Sequence, residues 1–69
     1  MAKTKRYKYR GQELYVTGFR GLGFRTARRS PGGGEESFRL SDLPVRLTRR
    51  DAQKDLDEWA AARGLEEIQ

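Results

Sequence analysis

The chain has 69 residues and a formal net charge of +5, and it contains neither cysteine nor histidine. A chain of this length can form one small hydrophobic core. Without those two residue types it lacks disulfides, thiolate zinc sites, the commonest metal ligand and the commonest general base.

The N-terminal part of the chain reads as a basic tail followed by three strands. Residues 1–6 form the tail, and residues 7–10, 13–20 and 22–29 each alternate in side-chain type, with glycine-containing turns between them. Two such runs around a short turn are typical of a β-hairpin. Since the glycines at these turns precede a strand pattern and not a helix, they predict turns and bulges instead of a phosphate-binding loop.

A glycine-rich loop and two further extended pieces follow. Residues 30–36 contain three consecutive glycines and predict a flexible loop. Residues 37–40 resume the alternation, and residues 43–47 alternate again around Pro44, with Leu43, Val45 and Leu47 on one face. Because proline cannot donate a hydrogen bond to a sheet, residues 43–47 are predicted to be an edge strand or an extended connection.

One helix is predicted at about residues 48–63. Thr48 is a good N-cap, Asp51 stands three residues later in a capping-box arrangement, and Gly64 supplies a left-handed residue at the end. Ala52, Leu56, Trp59 and Ala60 recur at spacings of three and four and therefore share one face.

These elements predict an α+β fold, with three or four antiparallel strands and one C-terminal helix packed on one face of the sheet. The single domain spans residues 7–69, with strands at about 7–47 and a short C-terminal tail after the helix. We expect Tyr7 and Tyr9 to share a face with Leu14 and Val16. The predicted core residues of the sheet that face Leu56 and Trp59 are Leu14, Val16, Phe24, Phe38, Leu40, Val45 and Leu47.

The other sheet face stays exposed to solvent, because one helix can cover only one side. Basic and aromatic side chains predicted on this exposed face are Lys8, Arg10, Tyr15, Phe19, Arg25, Arg29, Arg39 and Arg46. The sequence assigns no acid to it. Residues 1–50 have thirteen Lys and Arg against four Asp and Glu, a net charge of +9, whereas residues 51–69 have two against six, a net charge of −4. A basic binding face with an acidic back is therefore expected.

Such a face is typical of nucleic-acid binding. Arginine matches phosphate oxygens and guanine edges, and aromatic rings stack on bases or contact thymine methyl groups. The simpler interpretation is that these arginines are solvated strand residues and that the aromatic rings pack under a neighbouring loop. The set as a whole favours binding, with DNA ahead of RNA.

The helix opening at residues 48–52 (Thr-Arg-Arg-Asp-Ala) and the stretch at residues 56–59 resemble the arm-type DNA-binding domain of phage and transposon integrases. In that family three strands precede a helix that opens with a similar stretch and has an aromatic residue toward its middle. The resemblance implies sheet residues in the major groove with the helix as support behind. By position it implies that Tyr15, Arg25 and Arg39 face the groove.

The alternative is a phage-type protein-interaction module without nucleic-acid binding. A partner strand would pair with the exposed edge at residues 45–47, or a basic partner would dock on the acidic helix. The effect of salt distinguishes the two functions, because phosphate binding by several arginines weakens steeply as salt rises.

The sequence predicts no enzyme. Glu35 and Glu36 are adjacent and point apart on a strand, which makes a poor acid and base pair. Asp51, Asp55 and Glu58 share one side of the helix, where a solvated, ion-paired face is favoured over a cation site. We expect no cofactor, no metal and no small-molecule substrate. No apolar run approaches the roughly 20 residues of a membrane-spanning helix, so a cytoplasmic protein without a membrane partner is expected.

Overall fold

The computed structural model describes residues 4–68, in which five strands and one helix follow one another along the chain. The elements are β1 (Arg6–Tyr9), β2 (Gln12–Phe19), β3 (Gly23–Arg29), β4 (Glu35–Ser37), α1 (Arg49–Arg63) and β5 (Glu66–Ile68). All strands are antiparallel to their neighbours in one sheet of order β4-β3-β2-β1-β5. The helix packs against β2 and β3. The predicted α+β class is confirmed, with five strands where the sequence predicted three or four.

The β1–β2 hairpin has the register that the alternation predicted. Tyr7 pairs with Leu14, so these two side chains share a face. Arg10 and Gly11 connect the strands with positive φ angles of 49° and 77°. Two successive residues with positive φ are typical of a two-residue hairpin turn, whose twist matches that of the flanking strands. Arg10 therefore lies in the turn and not on the sheet face where it was predicted.

The chain between β3 and the helix differs from the prediction. The fourth strand, β4, ends at Ser37, three residues earlier than the strand predicted at residues 37–40. Residues 43–47 form no strand. Within that segment only Arg46 makes a β-bridge, with Phe24. Pro44 has no N–H to extend the pairing. The segment instead carries the chain from the sheet to the start of the helix.

The core prediction is wrong for three residues of this segment. Leu40, Val45 and Leu47 are exposed, whereas Phe38 and Leu43 are buried. The reason is that alternation places side chains on one face only in a regular strand. The chain here runs through a turn, so every second residue no longer points the same way.

The helix ends are those that the sequence predicted. Thr48 Oγ1 accepts a 3.2 Å hydrogen bond from the backbone N–H of Asp51. Gly64 has φ 64° and ends the helix, and the N–H of Leu65 donates to the carbonyl oxygen of Ala60 at 3.0 Å. This return bond is typical of a Schellman motif. The buried residues of the helix are Ala52, Gln53, Leu56, Trp59 and Ala60.

Three aromatic rings close the core at the C-terminal end of the helix. Tyr9, Phe38 and Trp59 meet pairwise at centroid distances of 5.3–5.6 Å in edge-to-face geometry. Each comes from a different part of the fold: β1, the segment after β4, and α1. Rings in this arrangement bury a large apolar area and fix one another's orientation. Leu14 and Leu56 are fully buried in the same core.

Both predicted tails need correction. The short C-terminal tail contains β5, whose Glu66 and Glu67 pair with Lys8 and Tyr7 of β1. The basic N-terminal tail ends earlier than predicted, because Arg6 begins β1. Residues 1–3 of that tail and residue 69 lie outside the described residues.

Candidate nucleic-acid interface

The sheet face opposite the helix carries five of the eight predicted site residues. In the register, Thr17 pairs with Arg25 and Tyr15 pairs with Ala27. Paired residues share a face and successive residues alternate. The five predicted residues on this face, called the open face below, are Lys8, Tyr15, Phe19, Arg25 and Arg29.

Tyr15 stands in the middle of the open face with its ring and hydroxyl both engaged. The Arg29 guanidinium lies 5.0 Å from the ring centroid, within the range of a cation–π contact. The Tyr15 hydroxyl donates to Glu35 Oε2 at 2.8 Å. Partial burial, followed by this hydrogen bond, raises the pKa of Tyr15 above its ordinary value. The phenol is therefore neutral at pH 7 and fixed in direction.

Acids on the open face correct the prediction that it has none. Glu13 lies 2.9 Å from Arg6 and 3.7 Å from Arg29. Glu35 lies 3.3 Å from Arg25, whose Nε also donates to Ser37 Oγ at 2.7 Å. These carboxylates lower the net positive charge of the face. They also hold the arginine head groups in defined positions.

Apart from Glu13, which lies in the central strand β2, the acids of the sheet belong to its two edge strands. Strand β4 begins with Glu35 and Glu36, which pair with Arg29 and Arg28 of β3. Strand β5 likewise places two glutamates beside the basic strand β1. Opposite charges on neighbouring strands favour this pairing. The sheet therefore combines basic and acidic strands, and its open face is less positive than the sequence predicted.

One end of the open face is apolar. Phe19 is 72 % exposed and Leu22, in the β2–β3 turn, is 82 % exposed. Gly23 pairs with Phe19 of the open face, and Val45 Cγ1 lies where a Cβ on Gly23 would point, so Val45 borders this end of the face. Leu47, two residues further along the chain, is 87 % exposed. These exposed apolar residues, with the half-exposed Val45, form what we call the apolar patch.

Arg46 does not lie on the open face, which corrects its predicted position. Its guanidinium makes a two-pronged contact with Asp55 of the helix, Nε to Oδ2 at 2.6 Å and Nη2 to Oδ1 at 3.2 Å. The hydrogen bond to Asp55 raises the pKa of Arg46 above its ordinary value. The pattern placed Arg46 wrongly because a single β-bridge, and not a strand, sets its direction.

Arg10 and Arg39 are also absent from the open face. Arg10 lies in the β1–β2 turn, and Arg39 follows Phe38 with a positive φ of 44°. Their guanidiniums lie over the rings of the preceding aromatic residues, Arg10 over Tyr9 at 5.4 Å and Arg39 over Phe38 at 5.7 Å. Both rings belong to the core aromatic cluster, so these two arginines are on the helix side of the sheet.

Two cations near these surfaces were missed by the sequence reasoning. Arg6 joins the open face through its contact with Glu13, and its spacing of two from Lys8 could have indicated this. Arg28 pairs with Leu14 in the register and therefore lies on the helix side, where it contacts Glu36 at 2.7 Å. Its spacing of two from Thr26 could have indicated this side, whereas its contact with Glu36 depends on the pairing of β3 with β4.

Residues 4–68 contain no cluster of three or more His, Cys, Asp or Glu suited to holding a metal ion. Within the same range, no helix has the length and apolar character needed to cross a membrane.

Comparison with protein-family models, with curated proteins and with solved structures gives no match for this chain. The resemblance to the integrase arm-type domain therefore stays a prediction.

Proposed function

We propose that this chain is a small nucleic-acid-binding module that contacts its partner, DNA in preference to RNA, through the open face. The observation that carries the proposal is the ordered group around Tyr15 on an uncovered sheet. Arg29 lies over its ring, Glu35 accepts from its hydroxyl, and Arg25 is held by Glu35 and Ser37. A sheet face with directed polar groups can enter the major groove or support unstacked bases.

The acids on the open face point to base contacts more than to phosphate binding alone. Arginine can donate to guanine O6 and N7, whereas a carboxylate such as Glu13 can accept from cytosine N4. Four cations lie on the face, namely Arg6, Lys8, Arg25 and Arg29. If each contacts one phosphate, log K should fall against log salt with a slope of about −3.6 at most on duplex DNA. We propose a cytoplasmic protein without enzymatic activity or cofactor.

The test is fluorescence anisotropy of labelled duplex DNA, single-stranded DNA and RNA hairpins at low and near-physiological salt. In Arg25→Gln with Arg29→Gln, we expect affinity for the preferred nucleic acid to fall by at least about tenfold. The control is Arg46→Gln with Arg50→Gln, which removes the same charge from the helix side. Equal losses in both double variants would show that only net charge matters and would overturn the open-face proposal.

The apolar patch favours a second candidate, a protein-interaction module. Large exposed apolar side chains grouped at one end of a sheet are typical of protein contact surfaces. The patch includes Val45 and Leu47 of the predicted edge, but contact there would be made by side chains and not by strand pairing, since residues 45–47 form no strand. Binding of a protein partner there would persist at high salt, whereas nucleic-acid binding would weaken. Retained binding of nucleic acid at high salt would contradict the first proposal.

A further inference from the structure

A second cationic site lies on the helix side of the sheet, at the end where the β1–β2 turn meets the segment after β4. A cavity of about 340 Å³ opens to solvent there, and its wall includes the three arginines Arg10, Arg28 and Arg39. Gln12 adds an amide, and the rings of Tyr9 and Phe38 form part of the floor. None of the described residues that line this cavity is acidic.

Backbone strain marks two of these arginines. Arg10 and Arg39 are the two non-glycine residues in the described part of the chain that have positive φ. Arginine is disfavoured in this region, where asparagine or glycine would be accommodated more easily. Both strained positions carry a guanidinium and both border the same cavity. The hairpin turn requires a positive φ at Arg10, yet the residue there is arginine, and disfavoured residues of this kind cluster at binding sites.

The guanidiniums are held in place before any ligand arrives. Arg10 and Arg39 each lie over a ring of the core aromatic cluster, at 5.4 Å and 5.7 Å from the centroids. Stacking on a ring leaves the N–H groups at the edge of a guanidinium available. Arg28 is positioned by its 2.7 Å contact with Glu36, and Arg39 has a longer contact of 3.8 Å with Asp42. Arg10 has no ion pair within residues 4–68.

We propose that this cavity binds a phosphate monoester group. Arginine forks match phosphate oxygens in two-pronged geometry. Two of the three guanidiniums contact a carboxylate, Arg28 that of Glu36 and Arg39 that of Asp42. Their remaining N–H groups, with those of Arg10, suit the three free oxygens of a monoester better than the two of a phosphodiester. A phosphate monoester also lies at the end of a molecule and can therefore enter a concave site. A phosphodiester has substituents on two sides, which hinder its entry. The 5′-phosphate of a nucleic-acid strand and free inorganic phosphate share this chemistry.

The test is an NMR titration that follows backbone amides and arginine Nε–H groups. We expect inorganic phosphate, but not chloride at equal ionic strength, to give saturable shifts at Arg10, Arg28 and Arg39. A short single strand of DNA with a 5′-phosphate is compared with the same strand ending in a 5′-hydroxyl. Shifts with the phosphorylated strand identify a strand end as the source, and shifts with inorganic phosphate alone identify a free anion. Equal shifts with both strands would overturn the assignment to a monoester.

Two variants separate binding from folding. Arg10→Asn and Arg39→Asn remove a guanidinium where asparagine fits the backbone better, so we expect folded proteins whose melting temperature does not fall. Their dissociation constant for phosphate should rise by at least about tenfold. Arg20→Asn, in the turn at the other end of β2, removes the same charge and should bind as the wild type does.

Wild-type affinity in Arg10→Asn, or no saturable shift in the wild type, would overturn the proposal. Arg25→Gln with Arg29→Gln should keep phosphate binding, so this site and the open face are tested separately.

Discussion

The Tyr7 hydroxyl donates a 2.7 Å hydrogen bond to Asp57 Oδ1 and so joins β1 to α1 across fifty residues of the chain. Gln53 Nε2 donates to the same oxygen at 2.9 Å and lies 3.3 Å from the carbonyl oxygen of Lys5. Burial of the ring, followed by the hydrogen bond to Asp57, raises the pKa of Tyr7 well above its ordinary value of 10.0. The first strand and the helix are therefore held together by a group that titrates at high pH.

Stability should fall at alkaline pH because of Tyr7. Since the pKa of Tyr7 is higher in the folded state than in the unfolded state, its contribution is fully present below pH 10.0 and is lost as pH rises above that value. Urea unfolding between pH 7 and pH 11 measures this loss. Tyr7→Phe should be less stable by about 1–3 kcal/mol at pH 7 and should show a smaller alkaline decrease. An identical alkaline decrease in both proteins would exclude Tyr7 as its cause.

Trp59→Ala should leave the protein largely unfolded at 25 °C. Trp59 contacts both other rings of the core cluster, and the Arg63 guanidinium lies 3.8 Å from the centroid of its ring. Removing a large core side chain costs about 3–5 kcal/mol, which is comparable to the roughly 3–5 kcal/mol that a core of this size supplies. Circular dichroism against temperature measures the effect. Trp59→Phe keeps an aromatic ring and should retain a cooperative transition; a cooperative melt near the wild-type temperature for Trp59→Ala would contradict this packing.

Gly18→Ala should disrupt the β2–β3 pairing. Gly18 has φ 153°, and a Cβ there would lie against the carbonyl oxygen of Gly23 and 2.7 Å from Phe24 Cα. These are backbone atoms of the partner strand, which cannot move aside as a flexible side chain would. Gly34 has no atom within 4 Å of such a Cβ, so Gly34→Ala should change stability by less than about 1 kcal/mol. Denaturant midpoints of the two variants provide the comparison, and similar midpoints would show that the strands separate easily at Gly18.

Leu43 and Leu47 should respond oppositely to truncation, although the sequence pattern placed them on one face. Leu43 is 1 % exposed and Leu47 is 87 % exposed. Leu43→Ala should cost about 2–5 kcal/mol, whereas Leu47→Ala should stay within about 0.5 kcal/mol of the wild type. Urea unfolding monitored by Trp59 fluorescence measures both. A large loss for Leu47→Ala would mean that the apolar patch is covered in solution.

The helix and the first hairpin follow from the sequence because their signals are local. Thr48 and Gly64 mark the ends of α1 within one turn of the residues they cap. The short turn around Gly11 sets the register of β1 and β2, which fixes the face of Tyr15. Such interactions join residues close in the chain, so a pattern of spacing is sufficient to predict them.

The remaining arrangement depends on contacts between residues far apart in sequence. Strand β5 is three residues long and mostly acidic, and it forms because β1, paired with β2 on one side, offers its other edge with complementary charge. No spacing in the sequence indicates that Tyr15 meets Glu35 or that Arg10 and Arg39 border one cavity. Local patterns determine the helix, the first hairpin and their apolar faces. The tertiary structure decides which arginines are neutralised by acids and which border one cavity, because those contacts form only when the sheet and helix pack together.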